Sequence, residues 1–246
     1  MKKGLRSLLV GAFWIAVWWG ISAAVGLKLL LPGPDDTVLA LLRLARTGTF
    51  WRITLQTLLR VAAGYGLAVI AGTGLAAACF RLPWLDALLS PLRTVIRATP
   101  VSSFIILVLL WITKTRVPVF ISFLMVLPIV WTGVQEALGA VDVNLREMAG
   151  MYGFSAWKKL KYVIFPSIRP AFLASCMTGL GFAWKSGIAA EVIARPEGAV
   201  GTQLYNAQIY LERADLFAWT LTVILLSIGL EALLKAAVKR RRGAGQ

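Results

Sequence analysis

Histidine is absent from the 246 residues of this chain, and cysteine occurs only twice. Without histidine, and with no cluster of Cys, Asp and Glu to replace it, a protein-held metal centre is not expected. Cys79 and Cys176 lie inside apolar segments and read as small buried hydrophobes, which argues against a disulfide framework. Charge is scarce: Asp, Glu, Lys and Arg make up 15% of residues, with 11 acidic against 26 basic. No Gly-x-x-x-x-Gly-Lys-Ser/Thr run occurs, so any nucleotide would be bound by another subunit. Gly64-x-Gly66 and Gly72-x-Gly74 follow no strand and lack the spacing of a dinucleotide fingerprint. No Gly-x-Ser-x-Gly, His-Glu-x-x-His or paired intramembrane aspartates are present, leaving an enzyme without a nucleophile or base. The expectation is a protein that is not an enzyme and holds no cofactor.

What is there instead is apolar sequence. The chain is 59% hydrophobic with a mean hydropathy of +0.76. Soluble domains run about 45–50% apolar and about 25% charged, so this composition indicates an all-α polytopic membrane protein in a lipid bilayer. The polar segments are too short for a separate soluble domain, and residues 1–246 read as a single transmembrane domain. The net charge of +15 does not point to nucleic acid, because the basic residues sit at the edges of apolar runs.

About six spans are expected. The run Leu8–Leu31 follows Lys2, Lys3 and Arg6. Ser22-Ala-Ala24 offers small residues for signal cleavage, yet about 24 apolar residues make a full bilayer span, and an uncleaved first helix is expected. Pro32-Gly-Pro-Asp-Asp36 breaks it, and Val38–Ala45 reads as a short amphipathic surface segment. A second span runs from Thr54 to Phe80, with Ala68, Gly72 and Ala76 four apart for close helix approach. Residues 81–99 read as a polar connection, Val101–Ile112 as a short apolar third span, and Pro118–Val134 as the fourth. The fifth is expected from Pro170 to Ile193 and the sixth from Leu216 to Val238, with a turn-rich loop at Arg195–Gly201 and a polar helix at Thr202–Arg213 between them. With six spans and basic residues biased two to one, both termini and the 136–166 loop fall on the cytoplasmic side.

That loop is the organised polar feature of the chain. Glu136–Met151 is rich in helix formers, with Leu138, Val141, Leu145, Met148 and Ala149 spaced by threes and fours. Gly153 supplies a left-handed position, and Ser155 is a good N-cap for a second helix expected to stop near Pro166. Glu147-x-Ala149, three residues, Gly153, nine residues and Val163-x-Phe165-Pro166 resembles the EAA loop of bacterial ABC importer permeases. The family usually has Leu where Phe165 stands.

The resemblance implies a type I importer permease fold, with its core at about 50–238. It also implies a cytoplasmic coupling helix, carried by Glu147, Ala149, Gly153, Ser155 and Pro166, that docks on an ATP-binding cassette ATPase subunit. Arg97-Ala-Thr-Pro100 is similar to the family step that opens a pore-side helix, although Trp111-Ile-Thr113 lacks the glycine that usually closes it. Ala189-Ala-Glu-Val-Ile193 looks like the nitrate/sulfonate/taurine branch. Two permease copies, two ATPase subunits, an external solute-binding protein and the cytoplasmic (inner) membrane are what that family implies.

Two residues are candidates for the solute path, Lys185 and Glu191. Lys185 lies inside the fifth span, where it either faces a pore and attracts an anion or snorkels outward. Glu191 lies six residues on, about 240° around the helix, and is expected at the outer interface. Arg60 reads as a snorkelling residue near a span end. Trp14, Trp18, Trp19, Trp51, Trp84 and Trp219 read as an aromatic belt. The first reading is ATP-driven import of a small anionic solute. The alternatives are another small organic solute, such as a vitamin or pyrimidine precursor, an ion-gradient secondary transporter, or a membrane scaffold.

Overall fold

The computed structural model describes residues 2–27 and 30–243, and the described residues are helical with no strand. Lys28, and the side chains of Lys2, Lys3 and residues 237–243, lie outside the described set. The helices in chain order are α1 Lys2–Val25, α2 Pro34–Ala45, α3 Gly48–Arg81, α4 Pro83–Ala98, α5 Val101–Val108, α6 Val117–Gly139, α7 Val143–Met151 and α8 Ala156–Lys159. A π-helical turn, Leu160–Ile164, then leads into α9 Phe165–Ala194, α10 Val200–Ile209 and α11 Arg213–Gly243.

Among the described residues, four units are long and apolar enough to cross a bilayer: α3, α6, the continuous Ala156–Ala194 run and Arg213–Ala236. A fifth is the pair α4 and α5, bent by 105° at Thr99–Pro100. The apolar part of α1, Leu9–Val25, completes about six.

The sheath is built around α6. Its apolar window is 61% buried, against 17–28% for the other three long units, so α6 is the central helix. Small residues permit this. Gly64, Ala68, Gly72 and Ala76 form a buried stripe on α3. A methyl group at Gly64 would overlap the Val119 carbonyl of α6, and one at Gly72 would sit 3.1 Å from the Leu127 carbonyl. On the other side, Gly179 and Gly187 of α9 leave room for Val126 and for Val61 and Ser122. Hydrogen bonds tie these helices together and add α11: Ser122 donates to the Ala183 carbonyl at 3.1 Å, Tyr65 to the Cys176 carbonyl at 3.0 Å, and Trp184 to the Val223 carbonyl of α11 at 3.1 Å. A donor in lipid has no water to turn to, so these bonds satisfy groups that would otherwise be orphaned.

Several expectations need correction. Residues 83–98 form a helix because Pro83 stands at its first turn, where no N–H is needed, and the apolar side chains fall on one face. Glu136–Met151 is two helices: α6 ends at Gly139, and Asp142 caps α7 by accepting the Asn144 N–H at 2.8 Å. The helix entering the fifth span does not stop near Pro166. The π turn widens the ring of bonds, with Phe165 N–H reaching the Leu160 carbonyl, and Pro166 falls in the first turn of α9, where its missing donor costs nothing. Trp219 is no belt residue: it is buried against Phe50, with ring centroids 4.9 Å apart. Trp18 is half-buried and stacks on Phe217, whereas Trp14, Trp19, Trp51 and Trp84 are exposed.

Candidate functional site

The 142–165 segment is shaped by local bonds. Gly153 adopts φ +66°, and its N–H reaches the Gly150 carbonyl at 3.0 Å while Phe154 N–H reaches the Ala149 carbonyl at 3.0 Å. These two bonds close a Schellman motif that ends α7, and the left-handed residue it requires is cheapest as glycine. Ser155 then caps α8, accepting the Lys158 N–H at 3.4 Å. Ala149 is buried inside the elbow, and Glu147 is exposed. Arg146 holds α7 against the end of α6 by donating to the Leu138 carbonyl, its guanidinium lying 5.2 Å over the Phe80 ring. What the elbow does not bury is apolar: Met148, Met151, Tyr152, Trp157 and Tyr162 are all exposed. Pro166 is in the first turn of α9, outside the elbow itself.

At the other end of the span bundle lies a buried ionic cluster. Glu191 is 0% exposed, and its carboxylate accepts from the Thr57 hydroxyl (3.0 Å from either oxygen), Gly201 N–H (3.1 Å) and Arg60 Nη1 (3.3 Å). Arg60 also donates to the Gly198 carbonyl at 3.1 Å and the Glu197 carbonyl at 2.9 Å, and Val200 N–H donates to Thr57 Oγ1 at 3.0 Å. One carboxylate and one guanidinium therefore pin the 197–201 loop and the start of α10 onto α3 and α9. This corrects one expectation: Arg60 does not snorkel but is paired with Glu191. Glu191, three residues before the end of α9, is enclosed by protein, with α10 packed over it, and a charge removed from water must be paired and hydrogen-bonded.

Lys185 is placed differently. Ala183, Trp184, Ser186, Gly187 and Ile188 around it are buried, yet Lys185 is exposed on the opposite face of α9. It borders a cavity of about 530 Å³ whose polar lining is Arg97, Thr99, Thr178, Lys185 and Ser186. Met125, Pro128, Ile129 and Phe182 supply apolar wall, and no carboxylate lines the space. Met125 and Pro128 lie about 12 and 17 Å along α6 from its first residue, so the cavity sits well inside the spans. Glu191, on the buried side of α9, does not border it. Sequence reasoning missed Arg97 as a second cation here; its signal was the Arg97-Ala-Thr-Pro100 step, which places Arg97 beside the bend between α4 and α5.

The chain is similar to known proteins along most of its length. The taurine transport system permease protein TauC of Escherichia coli (strain K12) is 25% identical over 234 residues, 92% of this chain and 84% of that protein. The riboflavin transport system permease protein RibX of Chloroflexus aurantiacus is 28% identical over 238 residues, 92% of this chain and 86% of that protein. In fold, a chain from the crystal structure of an amino acid ABC transporter with histidines aligns at TM-score 0.60 and 18% identity, covering 76% of this chain and 91% of that one. Residues 64–243, from the small-residue stripe of α3 through the elbow, Lys185 and Glu191 to the end of α11, match the model of one family. This protein therefore belongs to the binding-protein-dependent transport system inner membrane components, the permease subunits of ABC importers.

Proposed function

We propose that this permease carries a small anionic solute across the cytoplasmic membrane, and that Lys185 and Arg97 form the positive lining of its path. The observation that carries the reading is the cavity between α4, α5, α6 and α9, at mid-span depth along α6, where the exposed Arg97 and Lys185 meet hydroxyls and no carboxylate. A lysine in a span costs about 2.5–3.5 kcal/mol unless it reaches water or an anion, and a water-filled path supplies both. In this reading α7 and the Gly153 elbow dock on an ATPase subunit, whose closure opens the path toward a solute-binding protein. Residues 1–246 act as one permease domain, a second copy completes the path, and both termini lie in the cytoplasm.

The resemblance to the taurine permease supports a sulfonate-type anion. The resemblance to the riboflavin permease supports a neutral organic solute held by the apolar wall at Met125, Ile129 and Phe182. Uptake of labelled taurine and of labelled riboflavin, in vesicles holding the permease with its ATPase and binding protein, separates the two. Lys185→Met keeps the stem and removes the charge. The expected outcome is a fall in maximal rate of about tenfold for the anion, the scale of one lost charge-assisted contact, with little change for a neutral solute. Unchanged rate and unchanged discrimination would refute the role of Lys185.

A further inference from the structure

A second cavity, of about 310 Å³, lies where the elbow meets the spans, and three cations surround it: Arg81 from the last turn of α3, Arg146 from α7 and Lys159 from α8. Its remaining wall is apolar, chiefly Phe80, Leu160 and Val163, and no acidic side chain lines it. Each cation is held close for a reason other than neutralisation. Arg146 is fixed by the Leu138 carbonyl and the Phe80 ring, yet its Nε is buried with no hydrogen-bond partner. Lys159 Nζ lies against α7, 3.6 Å from where a Gly150 side chain would begin. Arg81 is positioned by the end of α3 and has no ion pair among the described residues. Three positive groups around one small space repel each other, and an orphaned buried donor is costly; a single anion relieves both. The π turn forms part of the same wall, and such turns recur at ligand sites.

We propose that this cavity binds a phosphate-type oxyanion, and that its occupant clamps the elbow to the ends of α3 and α6. The mixture of cations and apolar wall at the end of two membrane spans fits the phosphate of an anionic lipid headgroup, whose chains continue along the apolar side. Free inorganic phosphate presents the same chemistry without the chains. The site is separate from the Lys185 cavity and does not depend on which solute is carried.

The test uses the purified full chain in neutral detergent, titrated with inorganic phosphate and, separately, with short-chain phosphatidylglycerol below its micelle concentration. Binding is read by calorimetry and by the rise in melting temperature. Wild type is expected to bind at least one of the two roughly tenfold more tightly than Arg146→Gln/Lys159→Gln, since the bonds lost are charge-assisted. Binding of the lipid alone identifies a headgroup site that needs the apolar wall, and binding of both ligands identifies a site that the oxyanion itself fills. Because Arg146 also supports the fold through Leu138, Arg81→Gln is the second variant: it leaves that bond intact and is expected to weaken the same ligand by several-fold. No binding by wild type, or equal binding by wild type and Arg81→Gln together with the double variant, would overturn the assignment.

Discussion

Around Glu191, the buried carboxylate and the Arg60 guanidinium are bonded within the chain. Thr57, Arg60, Gly201 and the loop carbonyls close on one another, and α10 covers them. Around Gly153 the bonds are equally regular but only local, holding the elbow in shape while Met151, Tyr152 and Trp157 remain exposed. The first region is complete in one chain; the second is shaped and incomplete. Soluble surfaces rarely carry a cluster of large exposed apolar side chains unless something binds there. Under the function proposed above, the cluster at Glu191 serves the integrity of the fold and the elbow serves a partner.

Substitutions sharpen that contrast, beginning with the largest effect. Glu191→Ala leaves the partly buried Arg60 without its charge partner and removes the acceptor of Gly201 N–H. A loss of about 3–5 kcal/mol is expected, the scale of breaking a buried pair from one side, read as a large fall in melting temperature in detergent. An Arg60→Met/Glu191→Gln double variant is expected to recover part of that loss, and a double variant as unstable as Glu191→Ala would count against the pair.

Gly201→Ala comes next. Its methyl group would overlap Glu191 Cβ and the Val192 backbone, so α10 must move away from α9. Overpacking of this kind costs about 1–3 kcal/mol, and a melting temperature equal to wild type would show that the two helices are not in close contact.

Gly153→Asp acts on the other region. Nothing lies within 4 Å of where its side chain would begin, so the cost is backbone strain at φ +66°, about 1–2 kcal/mol for a left-handed residue. The protein is expected to remain inserted and near normal in abundance while ATP-driven uptake is lost. Normal uptake at normal membrane levels would remove the elbow from the coupling role.

The two regions also differed in how far the sequence disclosed them. Gly153 and Ser155 were legible because a left-handed C-terminal position and an N-cap are set by bonds over a few residues. The order of apolar runs revealed the membrane spans for the same reason: hydropathy is a local property. Arg60 and Glu191, 131 positions apart, read as two unrelated residues near span ends, because only the packing of α3, α9 and α10 brings them together. Arg97 and Lys185 likewise needed the 105° bend between α4 and α5 to share a cavity. Pro166 misled for a physical reason as well. A proline ends a regular α-helix, but the π turn just before it moves it into the first turn of a new one.

The most direct measurement is complex formation between this permease and its ATPase subunit, with wild type compared against Met151→Ser/Tyr152→Ser. Both side chains are exposed, so their replacement is expected to change stability by less than about 0.5 kcal/mol. If the elbow is the docking surface, the wild-type permease retains the ATPase through purification and the variant loses it at an unchanged melting temperature. A variant that binds the ATPase as tightly as wild type would contradict the account.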